Sequence, residues 1–282
     1  MILLCIASLA AVAAGYATFV EVMSRDRMLV LSAASYSDKP QACLDSKLNG
    51  AKVTSLVLLD CDYFGDKCGG FVYVDDKNKA IGLEYRGSTS AAQIIAQFEE
   101  SVFEKHVAFA AGGTVTKYFD DAFQKMWDPG IGDAVKAAVA AYPGYDLWVS
   151  GHSLGGTIAS LAAAYISKTG LAKPEKIFQY TFGEPRVGDK AWADAHDGLV
   201  PTTFRVTHSR DLVAHIPPEF LNYRHHEAEV YYKNKMEAGD TYKICAAQES
   251  HDCSEGDVDI SIDDHLVYYG RHVSTWGRDG CV

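Results

Sequence analysis

The chain of 282 residues carries 37 acidic and 26 basic side chains, a formal charge of −11 at neutral pH. That balance excludes the basic surface that nucleic acid or an anionic membrane would require, so any contact with lipid must rest on apolar side chains. Hydrophobic residues make up 48% and charged residues 22%, and no linker or internal repeat divides the chain, which points to one domain with a large core.

In chain order, the first segment is an uncharged apolar run from Met1 to Ala14 followed by Gly15 and Ala17. It is shorter than the ~20 residues of a membrane span and ends in the small residues that suit signal peptidase. Residues 1–17 are therefore expected to be a secretory signal. Residues 18–282 are expected to form the mature domain, secreted and extracellular, with no stable membrane anchor and monomeric. Met28, Leu31 and Ala34 fall at helical spacing within Met23–Ser35. Val53–Leu59 reads as a strand, and Gly70–Val74 with Ala80–Arg86 as a hairpin turning on Asp75-Asp76-Lys77-Asn78. Ile131–Ala141 is a helix stopped by Pro143-Gly144, Tyr145–Ser150 a buried strand, and Thr157–Ser167 a helix rich in small residues. Lys176–Phe182 and Thr203–Thr207 are further strands. This βα rhythm predicts an α/β fold with a mainly parallel sheet, helices on both faces, and functional groups at the carboxyl ends of the strands.

Removing the leader removes Cys5 and leaves Cys43, Cys61, Cys68, Cys245, Cys253 and Cys281. An even set in a secreted chain suggests disulfides, with buried free thiols as the alternative. Cys61/Cys68 and Cys245/Cys253 suit short loop staples, and Cys43 with Cys281 would tie the two ends together. Seven Asp or Glu between Glu249 and Asp264, without a Lys or Arg, read as a solvated loop that matches no calcium motif.

Gly151-His152-Ser153-Leu154-Gly155 fits Gly-x-Ser-x-Gly between an apolar strand and a small-residue helix, the setting that gives the motif meaning. A reactive serine must stand on a sharp strand-to-helix turn whose neighbours leave the backbone room. The helix start also aims amides and positive dipole at a developing oxyanion. Serine needs a histidine to take its proton and an acid to orient that histidine, in the chain order Ser, acid, His. Asp211, just past the Phe204–Thr207 strand, is the acid that fits; Asp189, Asp194 and Asp197 lie in a polar helical stretch. His225, His226, His251, His265 and His272 are all candidates for the base. His265 is favoured because Leu266-Val267-Tyr268-Tyr269 can anchor its loop, whereas His225-His226-Glu227 reads as an exposed strand start rather than a metal site. Ser88, at the end of the strand through Ile81, Leu83 and Tyr85, can complement the Leu154 amide as a second oxyanion donor. From Ser90, Ala91, Ile94, Ile95 and Phe98 form one apolar helical face opposite Gln93 and Gln97.

Five stretches in register resemble the class 3 lipases of the filamentous-fungal type, within the α/β-hydrolase superfamily. They are Tyr85-Arg-Gly-Ser88, Gly151–Gly156, Thr181–Gly188, Phe204–Asp211 and His265–Tyr269. The resemblance implies a Ser153, Asp211, His265 triad, an oxyanion hole at Ser88 and Leu154, and the pairs Cys43–Cys281, Cys61–Cys68 and Cys245–Cys253. It also implies that Ile94, Ile95 and Phe98 belong to a lid. The expected activity is hydrolysis of a lipid ester at an interface, foremost of triacylglycerol, with neither metal nor cofactor. Phospholipase A1 and feruloyl-type esterase are the alternatives on the same scaffold, and an inactive lipid- or carbohydrate-binding relative is the alternative from another class.

Overall fold

Val72 and Val74 face one side of their strand and Phe71 and Tyr73 the other, and each set finds its own core. That period of two organises the whole molecule. The computed structural model describes residues 18–60, 67–88, 104–257 and 259–282. Its strands are β1 (Ala51–Asp60), β2 (Lys67–Asp75), β3 (Ala80–Tyr85), β4 (His106–Ala108), β5 (Thr114–Thr116), β6 (Asp146–His152), β7 (Ile177–Phe182), β8 (Thr203–His208), β9 (Glu229–Tyr232), β10 (Lys243–Cys245), β11 (Val267–Tyr268) and β12 (Arg271–His272). Among the described residues eight of them form one sheet in the order β1-β2-β3-β6-β7-β8-β9-β10, while β4 pairs with β5 and β11 with β12. Strands β3, β6, β7, β8 and β9 run parallel across the middle, with antiparallel pairing at both edges. This is the α/β-hydrolase arrangement expected from the chain pattern.

Both faces are covered, as a parallel core requires. On one face, the helix Lys117–Met126 buries Phe119, Ala122, Phe123 and Met126. The spacing i, i+3, i+4, i+7 makes that a single stripe, and it joins Ile158, Leu161 and Trp192 over Leu83 and Val149. On the other face, Met28, Leu29 and Leu31 of the N-terminal helical run pack with Tyr180, Phe182, Phe204 and Tyr268. Cys43 and Cys281 are bonded, with Cα atoms 4.8 Å apart, and Cys245 and Cys253 are bonded across 6.3 Å. Cys68 is also in a disulfide; Cys61 lies outside the described residues, as do residues 1–17 and Ile94, Ile95 and Phe98. Among the described residues no helix is long and apolar enough to cross a membrane.

Two expectations need correction. His225 and His226 are buried rather than exposed. His225 Nε2 donates to the Ala214 carbonyl at 2.8 Å, and His226 sits among Ser160, Gln179 and Glu184 beneath the sheet's helix layer. The acidic stretch after Glu249 is not simply solvated either. Glu249 and Glu255 both grip the Arg186 guanidinium, at 2.9 and 2.7 Å, and Arg186 is only 1% exposed. A cation taken out of water needs such partners, and the acids were the nearest supply.

Candidate active site

Strands β6, β7 and β8 end side by side at His152, Phe182 and His208, and the segments that follow them carry the polar groups of interest. Ser153 forms the turn between β6 and the helix Leu154–Lys168, with φ 61° and ψ −134°. Such a conformation costs a non-glycine residue about 1–3 kcal/mol and persists only when its surroundings impose it. Here they do. A Cβ on Gly151 would stand 2.2 Å from the Gly155 carbonyl oxygen, and one on Gly155 would stand 2.2 Å from the Tyr85 carbonyl oxygen. Only glycine lets the helix start press this closely on β6 and on the end of β3.

That contact brings the Tyr85–Ser88 segment beside the first turn of the helix. Arg86 pins the segment: its amide donates to the Gly69 carbonyl at 2.7 Å, its Nε to the Ser35 carbonyl at 2.8 Å, and its guanidinium pairs with Asp38 at 2.8 Å. Ser88 and Leu154 are both buried. The Leu154 amide belongs to a first helical turn, whose amides have no acceptor within the helix.

Asp211 follows β8 by three residues and is fully buried. His265 Nδ1 donates to its two oxygens at 2.9 and 3.0 Å, the Tyr268 hydroxyl donates at 2.5 Å, and the Val213 amide at 2.8 Å. Burial pushes the Asp211 carboxyl up, but the His265 charge and these donors outweigh it and hold the group below the usual carboxylate range. The carboxylate needs the Nδ1 proton, so a neutral His265 presents its lone pair at Nε2. That Nε2 is buried and has no hydrogen-bond partner among the described residues.

His265 lies on the short helix Ile262–Leu266, capped by Ser261, whose hydroxyl accepts from the Asp264 amide at 3.1 Å. Backbone bonds stitch this helix to the Asp211 turn, Ser261 to Arg210 at 2.6 Å and Leu212 to Ser261 at 3.2 Å. Residues 54 apart in sequence thus share one rigid support.

A family model described as lipase (class 3) matches residues 83–221. A lipase of Caenorhabditis elegans is 32% identical over 288 residues, covering 90% of this chain and 80% of that one. The chain belongs to the class 3 lipases. It is therefore a carboxylic ester hydrolase of the α/β-hydrolase fold. A Fusarium solani protein named as a secreted mono- and diacylglycerol lipase is 32% identical over 71% of this chain and 60% of its own length. The solved triacylglyceride lipase of Rhizomucor miehei superposes with a TM-score of 0.77 at 27% identity, over 92% of this chain and 98% of that one.

In this lipase the other acids are employed elsewhere. Asp189 caps the helix Lys190–Leu199 by accepting from the Trp192 amide at 2.8 Å, Asp194 pairs with Lys190, and Asp197 accepts from the Glu227 amide. Ligand atoms of His196, Asp197 and His226 come within 4.8 Å of one another. The two imidazoles, however, stack face to face at 3.8 Å, and His226 Nδ1 already donates to the Glu227 carbonyl at 2.6 Å. Parallel rings cannot both aim an in-plane lone pair at one ion, so the group is packing rather than a metal centre. Sequence reasoning missed Tyr268 as a donor to Asp211; it lies on the short strand after the His265 helix, and no local signal marks the contact.

Proposed function

We propose that this lipase is a secreted triacylglycerol lipase working through an acyl-enzyme, with residues 1–17 as its leader and 18–282 as the mature domain. Ser153 attacks the ester carbonyl while His265 Nε2 takes its proton. Asp211 holds the Nδ1–H tautomer and offsets the imidazolium that forms. The Ser88 and Leu154 amides hold the oxyanion, His265 returns the proton to the departing alcohol, and water repeats the sequence to release the fatty acid.

The observation that carries this reading is the buried Asp211–His265 pair, whose outer nitrogen has no partner among the described residues and whose ring stacks on the residue preceding a strained serine. Ser153 is 2% exposed. To a lipid surface the acidic protein has apolar contact alone to offer.

A fluorophosphonate probe should label Ser153, located by peptide mass spectrometry, and Ser153→Ala should lower turnover by about 10⁶-fold without unfolding the protein. Labelling at another serine would overturn the assignment. On a panel of emulsified triglyceride, phospholipid and feruloyl ester, triglyceride should be turned over fastest; faster cleavage of either of the others would replace the substrate class and leave the triad standing.

A further inference from the structure

Tyr36 and His152 are buried beside this cluster and take no part in the chemistry just described. The His152 ring stacks on the His265 ring, centroids 4.6 Å apart and planes 24° from parallel. Its Nε2 lies 2.8 Å from the backbone carbonyl of His265, and its Nδ1 lies 2.7 Å from the Tyr36 hydroxyl. A carbonyl only accepts, so Nε2 carries the proton and Nδ1 accepts from Tyr36. Burial, reinforced by the His265 charge, pushes the His152 imidazole down to about 3, which keeps it neutral while His265 cycles. Burial likewise pushes the Tyr36 hydroxyl up and keeps it a donor.

The same hydroxyl touches the other half of the site. A Cβ on Gly87 would stand 2.3 Å from the Tyr36 oxygen and 3.1 Å from the Ser153 Cβ. Tyr36 is thus in contact with the Gly87–Ser88 turn on one side and, through His152, with His265 on the other. Three segments distant in sequence meet at one phenol.

We propose that Tyr36 and His152 are positioning residues: the His265 carbonyl sets His152 as its Nε2–H tautomer, the Tyr36 hydroxyl holds that ring in place at Nδ1, and His152 then fixes the backbone and ring plane of His265 against the Gly87–Ser88 turn. Without the hydroxyl, the Nδ1 lone pair is left buried with no donor. The ring turns to find one, and its movement takes the base off its line to Ser153. The inference rests on the triad reading above, so Ser153→Ala serves as its control.

Tyr36→Phe should lower kcat on a dissolved short-chain ester roughly 10- to 100-fold with KM unchanged, the size of effect a small misplacement of a base produces. His152→Gln supplies an amide N–H for the His265 carbonyl and leaves no imidazole Nδ1 for Tyr36 to hold. In that background the cost of Tyr36→Phe should shrink to less than about two-fold, since the two changes act through one contact. An equal cost in both backgrounds would mean that Tyr36 matters for packing alone, and would overturn the relay. Nitrogen-15 spectra of the wild-type enzyme give an arm that needs no variant: His152 should be protonated at Nε2, and an Nδ1–H signal would end the proposal. If Ser153→Ala stays active, the triad itself is wrong; if it is dead while Tyr36→Phe is fully active, the relay alone fails.

Discussion

The pair His152–His265 and the pair His196–His226 are built alike, each a stack of two buried imidazoles beside a buried carboxylate and a buried serine, Ser153 just before the helix Leu154–Lys168 and Ser160 within it. Around Glu184, however, the serine bonds the carboxylate directly. Ser160 donates to one oxygen and Thr181 to the other, each at 2.5 Å, and His226 Nε2 stands 3.3 Å from both oxygens. Around Asp211 it is the histidine that bonds the carboxylate, with its Nδ1 spent on the acid and its Nε2 without a partner among the described residues. Ser160 is a helix-interior residue facing the core, whereas Ser153 sits on a strained turn at the carboxyl edge of the sheet. The same three residue types are structural in one place and suited to catalysis in the other. What differs is the order of contacts and the backbone beneath the serine.

The sharpest way to break this comparison is to disturb the order at Asp211. Asp211→Asn keeps the shape but lets the amide donate where the carboxylate accepted, which favours the wrong tautomer of His265. We expect a loss of about 10⁴-fold in kcat, as in other triads, measured on a dissolved ester. A loss below ten-fold would mean that Asp211 has no orienting role.

At the second cluster the expected effect is on stability. Ser160→Ala takes from Glu184 a buried donor, and leaving such an acceptor short costs about 1–3 kcal/mol. Chemical denaturation should register that loss while kcat stays at the wild-type value; a large fall in kcat at intact stability would show that the two clusters are coupled.

The smallest effect is a slope. Burial, helped by the charges of His226 and Arg205, holds His196 well below the ordinary histidine range. Below about pH 6.5 the unfolded chain takes up a proton there that the folded chain refuses, so stability falls as the pH falls. His196→Gln can still donate to Gln179, which His196 Nε2 meets at 3.1 Å. The variant should lose less stability than the wild type between pH 6.5 and 4.5, by up to about 1.4 kcal/mol per pH unit. Parallel stability curves for the two proteins would remove His196 from the account of acid sensitivity.

Most of the fold was legible before any coordinates. The Asp75–Asn78 turn, the stop at Pro143-Gly144 and the strands ending near Phe182 and Thr207 are local signals, set by turn residues and apolar period. β10, which pairs antiparallel with β9, was not read, because a three-residue strand is too short to show a period and its edges owe their definition to a neighbour. The elbow at Ser153 was legible for the opposite reason: the glycines, the serine and the helix start are contiguous, so the requirement for room is written within one stretch of chain.

Chain order and turn chemistry thus determined the α/β layout, the serine turn and the choice of Asp211 as the acid. The sequence favoured His265 among five histidines, and the fold brings it to Asp211; tertiary structure alone decided that Tyr268 and the Val213 amide join it, and that Tyr36 reaches His152 across 116 residues. It alone buried His226 and sent Glu249 and Glu255 to Arg186. The division has a physical cause. Backbone preference and apolar period act over a few residues and leave their mark in the local sequence. The partner of a buried polar group is whichever group the packing brings within hydrogen-bond reach, and the cost of leaving it unpaired makes that choice binding only once the chain has folded.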